Sequence, residues 1–175
     1  MLEQALAWAY QYDKALYAAL DGDKSYALRI FSIDRGGAKP RKDIAKWADV
    51  RAYVSYFYDA LREGQSETAE NVAPADRAAI LRAYLDVMDV SADKDAWFET
   101  IRRVAEKTGF CPDVKQFKTD PSGWKGHVGD VSSVIRTALT GRKNTPDLYA
   151  IMALLGQERC AERINQTLEA IKHGK

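Results

Sequence analysis

The stretch from Val134 to Leu155 reads VIRTALTGRKNTPDLYAIMALL and is followed directly by Gly156. Apolar residues recur at three- and four-residue steps in both halves of it, a spacing that is typical of amphipathic helices. Gly141 stands where the first helix should end, because glycine enters the left-handed region without a steric cost. The stretch therefore predicts two short helices joined by a polar elbow.

The elbow is both polar and basic. Arg142, Lys143 and Asn144 are expected to form a solvent-facing loop, because such side chains are rarely buried without partners. A threonine hydroxyl can cap a helix and proline suits the first helical position, so Thr145 and Pro146 predict the start of the second helix. Basic side chains beside a helix N-terminus suit the phosphate backbone of a nucleic acid.

The remainder of the chain also reads as helices. Helical spacing of apolar residues predicts them over residues 2–20, 26–33, 43–61, 74–90, 91–108 and 157–171, with Asp43 and Ser91 as caps. Residues 54–58 also suit a strand, but the helical spacing runs through them. Residues 110–128 contain several glycines, prolines and lysines and are expected to form a structured loop.

A polar segment over residues 64–73 is the expected boundary between two helical subdomains, residues 1–64 and 65–175. With no convincing strand in either part, the predicted fold class is all-α. The chain is long enough for one or two domains with a hydrophobic core.

The net charge of +1 hides an uneven distribution. Residues 22–62 hold nine basic and five acidic residues, residues 63–106 hold five and ten, and residues 107–143 hold seven and three. If the two basic segments meet in the folded protein, they form a positive face of the kind that binds RNA. The alternative is a chance alternation of charge on a solvated surface.

Several function classes lack a sequence signal. There is no metal-ligand spacing or glycine-rich phosphate loop, and His127 and His173 have no recognisable catalytic partner. Cys111 and Cys160 form no redox motif, so a reducing, cytoplasmic compartment is expected. No apolar run reaches the ~20 residues of a membrane helix, and the N-terminus lacks a signal-peptide pattern. The chain by itself is expected to bind rather than to catalyse, without a metal ion.

Two separated stretches carry a family resemblance. Residues 138–159 contain A-L-T-G, T-P-x-L and I-x-A-L-L-G-x-E-R, and residues 27–59 read ALRIFSIDRGGAKPRKDIAKWADVRAYVSYFYD. Both resemble, in the same order, the C-terminal anticodon-binding region of bacterial glutamyl-tRNA synthetases, which are class I aminoacyl-tRNA synthetases (glutamate–tRNA ligases). The resemblance implies a multihelical, all-α anticodon-binding domain in two subdomains.

The resemblance also implies what is missing. The parent ligase binds ATP and magnesium in a nucleotide-binding α/β domain marked by a His-Ile-Gly-His-like motif and a Lys-Met-Ser-Lys-Ser-like loop, and this chain has neither motif. No cofactor is therefore expected in the chain itself. The expected partner is tRNA, with no membrane or DNA partner.

Candidate site residues follow from the same resemblance. Arg41 aligns with an arginine that the family places against the last anticodon base, and Arg136 with one near the first. Thr145, Pro146 and Leu148 align with the elbow that touches the middle base. Arginine suits base reading because its planar fork donates two parallel hydrogen bonds. The expected phosphate contacts are Lys39, Lys42, Lys46, Lys125, Arg142 and Lys143.

Simpler interpretations stand beside these roles. Arg41 also suits a basic surface turn, Arg136 a solvated helix face, Thr145 a helix cap and Leu148 the core. The presence of Arg41 favours a glutamate-specific tRNA. A freestanding RNA-binding module without ligase activity, and a helical protein-interaction scaffold, are the alternative functions. The family resemblance is weakest in an extra Gly-Gly-Ala before Pro40 and in the long loop ahead of Val128.

Overall fold

The computed structural model describes residues 1–36, 42–62 and 66–174. Every named regular element within these ranges is helical, so the all-α prediction is confirmed. The chain divides into two compact units, Met1–Gln65 and Ser66–Lys175. The α-helices are α1 Leu2–Tyr12, α2 Lys14–Gly22, α3 Lys24–Ser32, α4 Asp49–Val54, α5 Pro74–Leu85, α6 Lys94–Thr108, α7 Val114–Thr119, α8 Val128–Thr140, α9 Leu148–Leu155 and α10 Gln157–Lys172. Across the described ranges, none of these helices is long and apolar enough to cross a membrane.

In the first unit, Asp13 separates α1 from α2. Its carboxylate accepts a hydrogen bond from the Leu16 amide at 3.0 Å and so caps α2. Arg51, from α4, donates two hydrogen bonds to the same carboxylate, at 2.7 and 3.0 Å. The single helix predicted over residues 2–20 is therefore wrong, because apolar spacing continues across a residue that serves as a cap and an ion-pair partner.

Neutralising Asp13 should expose the contribution of this ion pair. Burial raises the pKa of the Asp13 carboxyl, but hydrogen bonds from Arg51 and from the Leu16 amide outweigh it and leave the pKa below its ordinary value. A lowered folded-state pKa stabilises the protein above the unfolded-state pKa, and this stabilisation is lost as the pH falls through the folded value. Asp13→Asn keeps a capping oxygen, so at pH 7 it should lower the free energy of unfolding by about 1 kcal/mol.

Urea unfolding at pH 7 and at about pH 3 measures this effect. The difference between wild type and Asp13→Asn should shrink toward the lower pH, because this stabilisation is lost as the pH falls toward the lowered folded-state pKa. Arg51→Gln is the matched background. If Asp13→Asn destabilises that background as much as the wild type, the ion pair is not the cause.

The helix predicted over residues 43–61 is correct in type but wrong in extent. The Asp49 carboxylate accepts hydrogen bonds from the amides of Ala45 and Lys46 at 3.2 and 3.1 Å, so a turn precedes α4 and Asp43 caps no helix. After α4 the chain continues as two 3-10 turns, Ser55–Phe57 and Asp59–Leu61, separated by extended backbone at Tyr58. The aromatic side chains here pack into the unit instead of following one helical face.

The second unit is built on α5, α6, α8 and α10, which pack against one another. A buried polar chain lies in its core. Trp97 Nε1 donates to the Tyr84 hydroxyl at 3.0 Å, and that hydroxyl donates to Met152 Sδ at 3.3 Å. Burial raises the pKa of Tyr84 well above its ordinary value, which keeps the phenol protonated as a donor. These two hydrogen bonds connect α5, α6 and α9.

Several boundaries in this unit differ from prediction. Helix α5 begins at Pro74 as predicted but ends at Leu85 instead of residue 90. Helix α6 is capped by Asp93, whose carboxylate accepts from the Ala96 amide at 2.9 Å, and not by Ser91. Gly109, with φ of 86°, ends α6 directly after residue 108, where the helix was predicted to end.

The expected loop over residues 110–128 contains α7, so the prediction of no regular element there is wrong. Asp113 caps this six-residue helix through hydrogen bonds from the amides of Lys115 and Gln116, at 2.7 and 2.9 Å. A helix of this length is too short to produce a periodic sequence signal. Backbone hydrogen bonds from Cys111 to Gly126 and from Val128 to Cys111 close the loop.

Candidate functional site

The predicted elbow joins α8 to α9 in the second unit. Gly141 ends α8 with φ of 68°, in the left-handed region, as the sequence predicted. A side chain there would also come within 2.9 Å of Ser66 Oγ. The end of α8 is therefore set both by backbone conformation and by a close approach of the segment before α5.

Helix α9 begins differently from the prediction. Asp147 is the cap, because its carboxylate accepts a hydrogen bond from the Ala150 amide at 2.9 Å. The same carboxylate pairs with Lys94 of α6 at 2.7 Å. The predictions that Thr145 caps α9 and that Pro146 takes its first position are wrong, since both residues precede the helix. The Thr145 hydroxyl instead donates to the Pro146 carbonyl at 3.0 Å.

Arg136 holds the elbow from the outer face of α8. Its Nη1 donates to the carbonyl oxygens of Pro146 and Thr145, at 2.8 and 3.4 Å, and to the Thr145 hydroxyl. Thr145 and Leu148 are both buried, with 6% and 3% of their surface exposed. The structure thus brings together four of the five residues predicted to touch anticodon bases, and it gives Arg136 a role in shaping the elbow. Contact of these residues with bases stays a prediction.

The basic loop of the elbow is fastened by an acidic segment that the sequence analysis did not select. The Glu67 amide donates to the Gly141 carbonyl at 2.8 Å, and the Glu67 carboxylate accepts from the Lys143 amide. The Lys143 ammonium lies 3.3 Å from a Glu70 carboxylate oxygen. The Arg142 guanidinium has no hydrogen bond or ion pair to any residue that the structure describes. Arg142 is therefore the cation of this loop that is most readily available to a ligand.

The other predicted phosphate contact in this unit, Lys125, has a partner. Its ammonium pairs with Asp76, in the first turn of α5, at 2.7 Å. Nearby, His127 caps α8, because its Nδ1 accepts a hydrogen bond from the Gly129 amide at 3.0 Å. Asp130 completes this cap by accepting from the His127 amide at 2.8 Å. These contacts fix the loop before α8.

The remaining predicted contacts belong to the first unit. Arg41 and Lys39 fall outside the described residues, so their predicted roles stay predictions. Lys42 and Lys46 are exposed ahead of α4, and neither side chain makes an ion pair with a described residue. Both ammonium groups are therefore open to an anionic ligand.

Comparison with known proteins decides the family. The family described as "Anticodon binding domain" matches residues 123–168, which include α8, the elbow, α9 and most of α10. The chain is 44% identical to the glutamate–tRNA ligase of Sorangium cellulosum over 94% of its own length and 29% of the ligase. It is 39% identical to that of Clostridium perfringens strain 13 over 90% of the chain and 30% of the ligase, and 36% identical to that of Acetivibrio thermocellus over 95% and 30%.

The chain is homologous to the C-terminal anticodon-binding region of glutamate–tRNA ligases. The family resemblance predicted from the two sequence stretches is thereby confirmed. The chain spans about 30% of the length of the curated relatives it matches.

One structurally important residue of the anticodon-binding region escaped the sequence analysis. Arg163, on α10, is 1% exposed, and its Nη1 donates to the Leu139 carbonyl at 2.9 Å. That carbonyl lies in the last turn of α8, where carbonyls lack intrahelical partners. Its position beside the core residue Ile164 was a usable signal, because a charged residue on a helix face that packs inward needs a partner. Arg163 thus supports the helix that leads into the elbow.

The described part of the region offers no group of three or more His, Cys, Asp or Glu side chains placed to hold a metal ion. Both cysteines are buried and free. Burial raises the pKa of the Cys160 thiol to about 11, so it packs as a neutral side chain. The polar groups at the elbow are the cations Arg142 and Lys143, with the carboxylates of Glu67 and Glu70 against the loop.

Proposed function

We propose that this chain binds the anticodon loop of a tRNA as the C-terminal part of a glutamate–tRNA ligase. The observation that carries the proposal is that the range matched by the anticodon-binding family contains the basic elbow. The matched anticodon-binding family begins just before α8 and ends within α10, and the basic elbow lies in the middle of that range. Activation of glutamate, with its ATP and magnesium, would belong to a catalytic part with the motifs that this chain lacks.

The geometry supports two different roles for the basic residues of the elbow, positioning and phosphate contact. Arg136 fixes the backbone of Thr145 and Pro146, so the elbow presents a preformed surface instead of a mobile loop. Lys143 is exposed and Arg142 is half-buried, and both cations suit phosphate oxygens, which set the register of the RNA. Bases splayed from a loop are read by stacking and by hydrogen bonds to their edges.

The first unit contains further residues that we propose to contact the tRNA. Arg41 is the proposed contact to the last anticodon base, and Lys42 and Lys46 are the proposed contacts to its phosphates. An arginine at residue 41 supports a preference for glutamate-specific tRNA. This preference rests on the family resemblance.

A filter-binding titration with a glutamate tRNA transcript tests the function. Binding should weaken as salt rises, with a slope of about −0.7 in log K against log salt for each phosphate contacted on single-stranded RNA. Transcripts with altered anticodons should bind more weakly than the unaltered one. A protein-interaction scaffold would instead show no affinity for the transcript at either of two salt concentrations. A freestanding RNA-binding module would bind the transcript too, so it differs only in lacking a catalytic part.

Removing the Arg142 guanidinium should weaken tRNA binding without changing anticodon preference. Phosphate contacts carry no sequence information, so Arg142→Ala should lower affinity equally for all transcripts and reduce the salt slope by about 0.7. Lys172→Ala, an exposed lysine on α10, is the matched control and should bind as the wild type does. Loss of discrimination at one anticodon base would instead assign Arg142 to base reading.

A further inference from the structure

The acidic segment Ser66–Glu70 is bound to the loop that carries the proposed phosphate contacts. It approaches Gly141 through Ser66 and through the amide of Glu67, and it approaches Lys143 through two glutamates. Two carboxylates therefore lie against a loop whose proposed ligand is itself an anion. This juxtaposition calls for a physical reason, because like charges near a binding site oppose association.

The two glutamates make different kinds of contact. The Glu67 carboxylate accepts from the backbone amide of Lys143, so it fixes the path of the loop. The Glu70 carboxylate instead meets the Lys143 ammonium at 3.3 Å, and the two side chains are 78% and 46% exposed. An exposed pair of this kind is weak and is screened by salt. The Glu70 contact can therefore be exchanged without disturbing the loop.

We propose that RNA binding exchanges the partner of Lys143, replacing the protein's own Glu70 with an RNA phosphate. The inference rests on the proposed function and specifies how the same site behaves. A phosphate oxygen offers the ammonium the same kind of acceptor as a carboxylate oxygen, with the same sign of charge. In the free protein Glu70 neutralises Lys143, and in the complex the carboxylate turns to solvent, where its exposure already places most of its surface.

A consequence is that Glu70 competes with RNA. Because the Glu70 pair must open before the phosphate engages, wild-type affinity is lower than the elbow would otherwise reach. A ligand with several phosphates, which also engages Arg142, displaces Glu70 more effectively than a single free phosphate. The exchange thus favours a polyanion over small anions.

A double-mutant cycle tests the exchange. Glu70→Gln should tighten binding of a glutamate tRNA transcript about two- to fivefold at low salt, and the gain should disappear in a Lys143→Ala background. Glu106→Gln, which neutralises an exposed carboxylate on α6, is the matched control for the general loss of negative charge. It should give a smaller gain that is the same in both backgrounds.

Three outcomes overturn the exchange. These are an equal gain from Glu70→Gln in both backgrounds, no gain in either, and weaker binding, which would make Glu70 a positioning residue instead. Urea unfolding of each variant verifies that the fold is retained. If the wild-type chain does not bind the transcript at all, the proposed function fails, and that result is distinct from the three above.

Discussion

Replacing Arg163 with alanine should lower the free energy of unfolding by about 3–5 kcal/mol. The side chain is 1% exposed, so its removal leaves a cavity between α10 and α8. It also removes the donor that satisfies the Leu139 carbonyl at 2.9 Å, in the turn where α8 has no further amides to offer. The substitution therefore combines lost packing with a buried acceptor left without its hydrogen bond.

A second substitution separates these two effects. Arg163→Met retains most of the volume but donates no hydrogen bond, so it should be destabilising by about 1–3 kcal/mol. Lys172→Ala, on the exposed end of the same helix, should change stability by less than about 0.5 kcal/mol. Urea unfolding followed by tryptophan fluorescence measures all three. If Arg163→Met is as stable as the wild type, the bond to Leu139 contributes nothing and only volume matters at this position.

Replacing Arg136 with alanine should weaken tRNA binding by roughly 10- to 100-fold. One guanidinium nitrogen supports both Thr145 and Pro146, and hydrogen bonds from a charged donor each contribute about 1.5–3 kcal/mol. Without them the elbow is no longer held in one conformation, so binding must also order it. The free energy of unfolding should fall by about 1.5–3 kcal/mol in the same variant.

The pattern across transcripts distinguishes two roles for Arg136. A positioning residue loses affinity for all anticodon variants alike, whereas a residue that contacts the first anticodon base loses discrimination at that base. Arg136→Lys keeps the charge but not the planar fork, so we expect only partial recovery. Ser132→Ala, on the same helix, is the control and should bind as the wild type does. Unchanged affinity in Arg136→Ala would exclude both roles.

The elements that the sequence predicted well are those with a local cause. Gly109 and Gly141 end helices because each adopts a left-handed conformation, a preference that belongs to glycine itself. The apolar spacing likewise predicted helices over α6, α8 and α10, because this spacing is set within each stretch. The family resemblance was readable for a similar reason, since its motifs lie in continuous stretches around the elbow.

The misplaced helix starts have a different cause. Three aspartates cap a helix or stabilise a turn at places that the apolar spacing did not indicate: Asp13, Asp49 and Asp147. Two of them also pair with a distant cation, Asp13 with Arg51 and Asp147 with Lys94. A cap candidate is visible in the sequence, but the choice among neighbouring candidates depends on residues far along the chain. The site shows the same dependence, because Glu67 and Glu70 meet the elbow from more than seventy residues away.

The sequence by itself determined that the chain is helical, where two of its helices stop, and which family its motifs resemble, because each of these follows from the spacing of residues that are near one another. Only the tertiary structure decided that Arg136 supports the elbow, that Arg163 completes α8 and that an acidic segment neutralises Lys143. Buried and charged groups are satisfied by whatever folding brings within about 3 Å of them. That proximity depends on how the whole chain packs, so no short stretch of the sequence determines it.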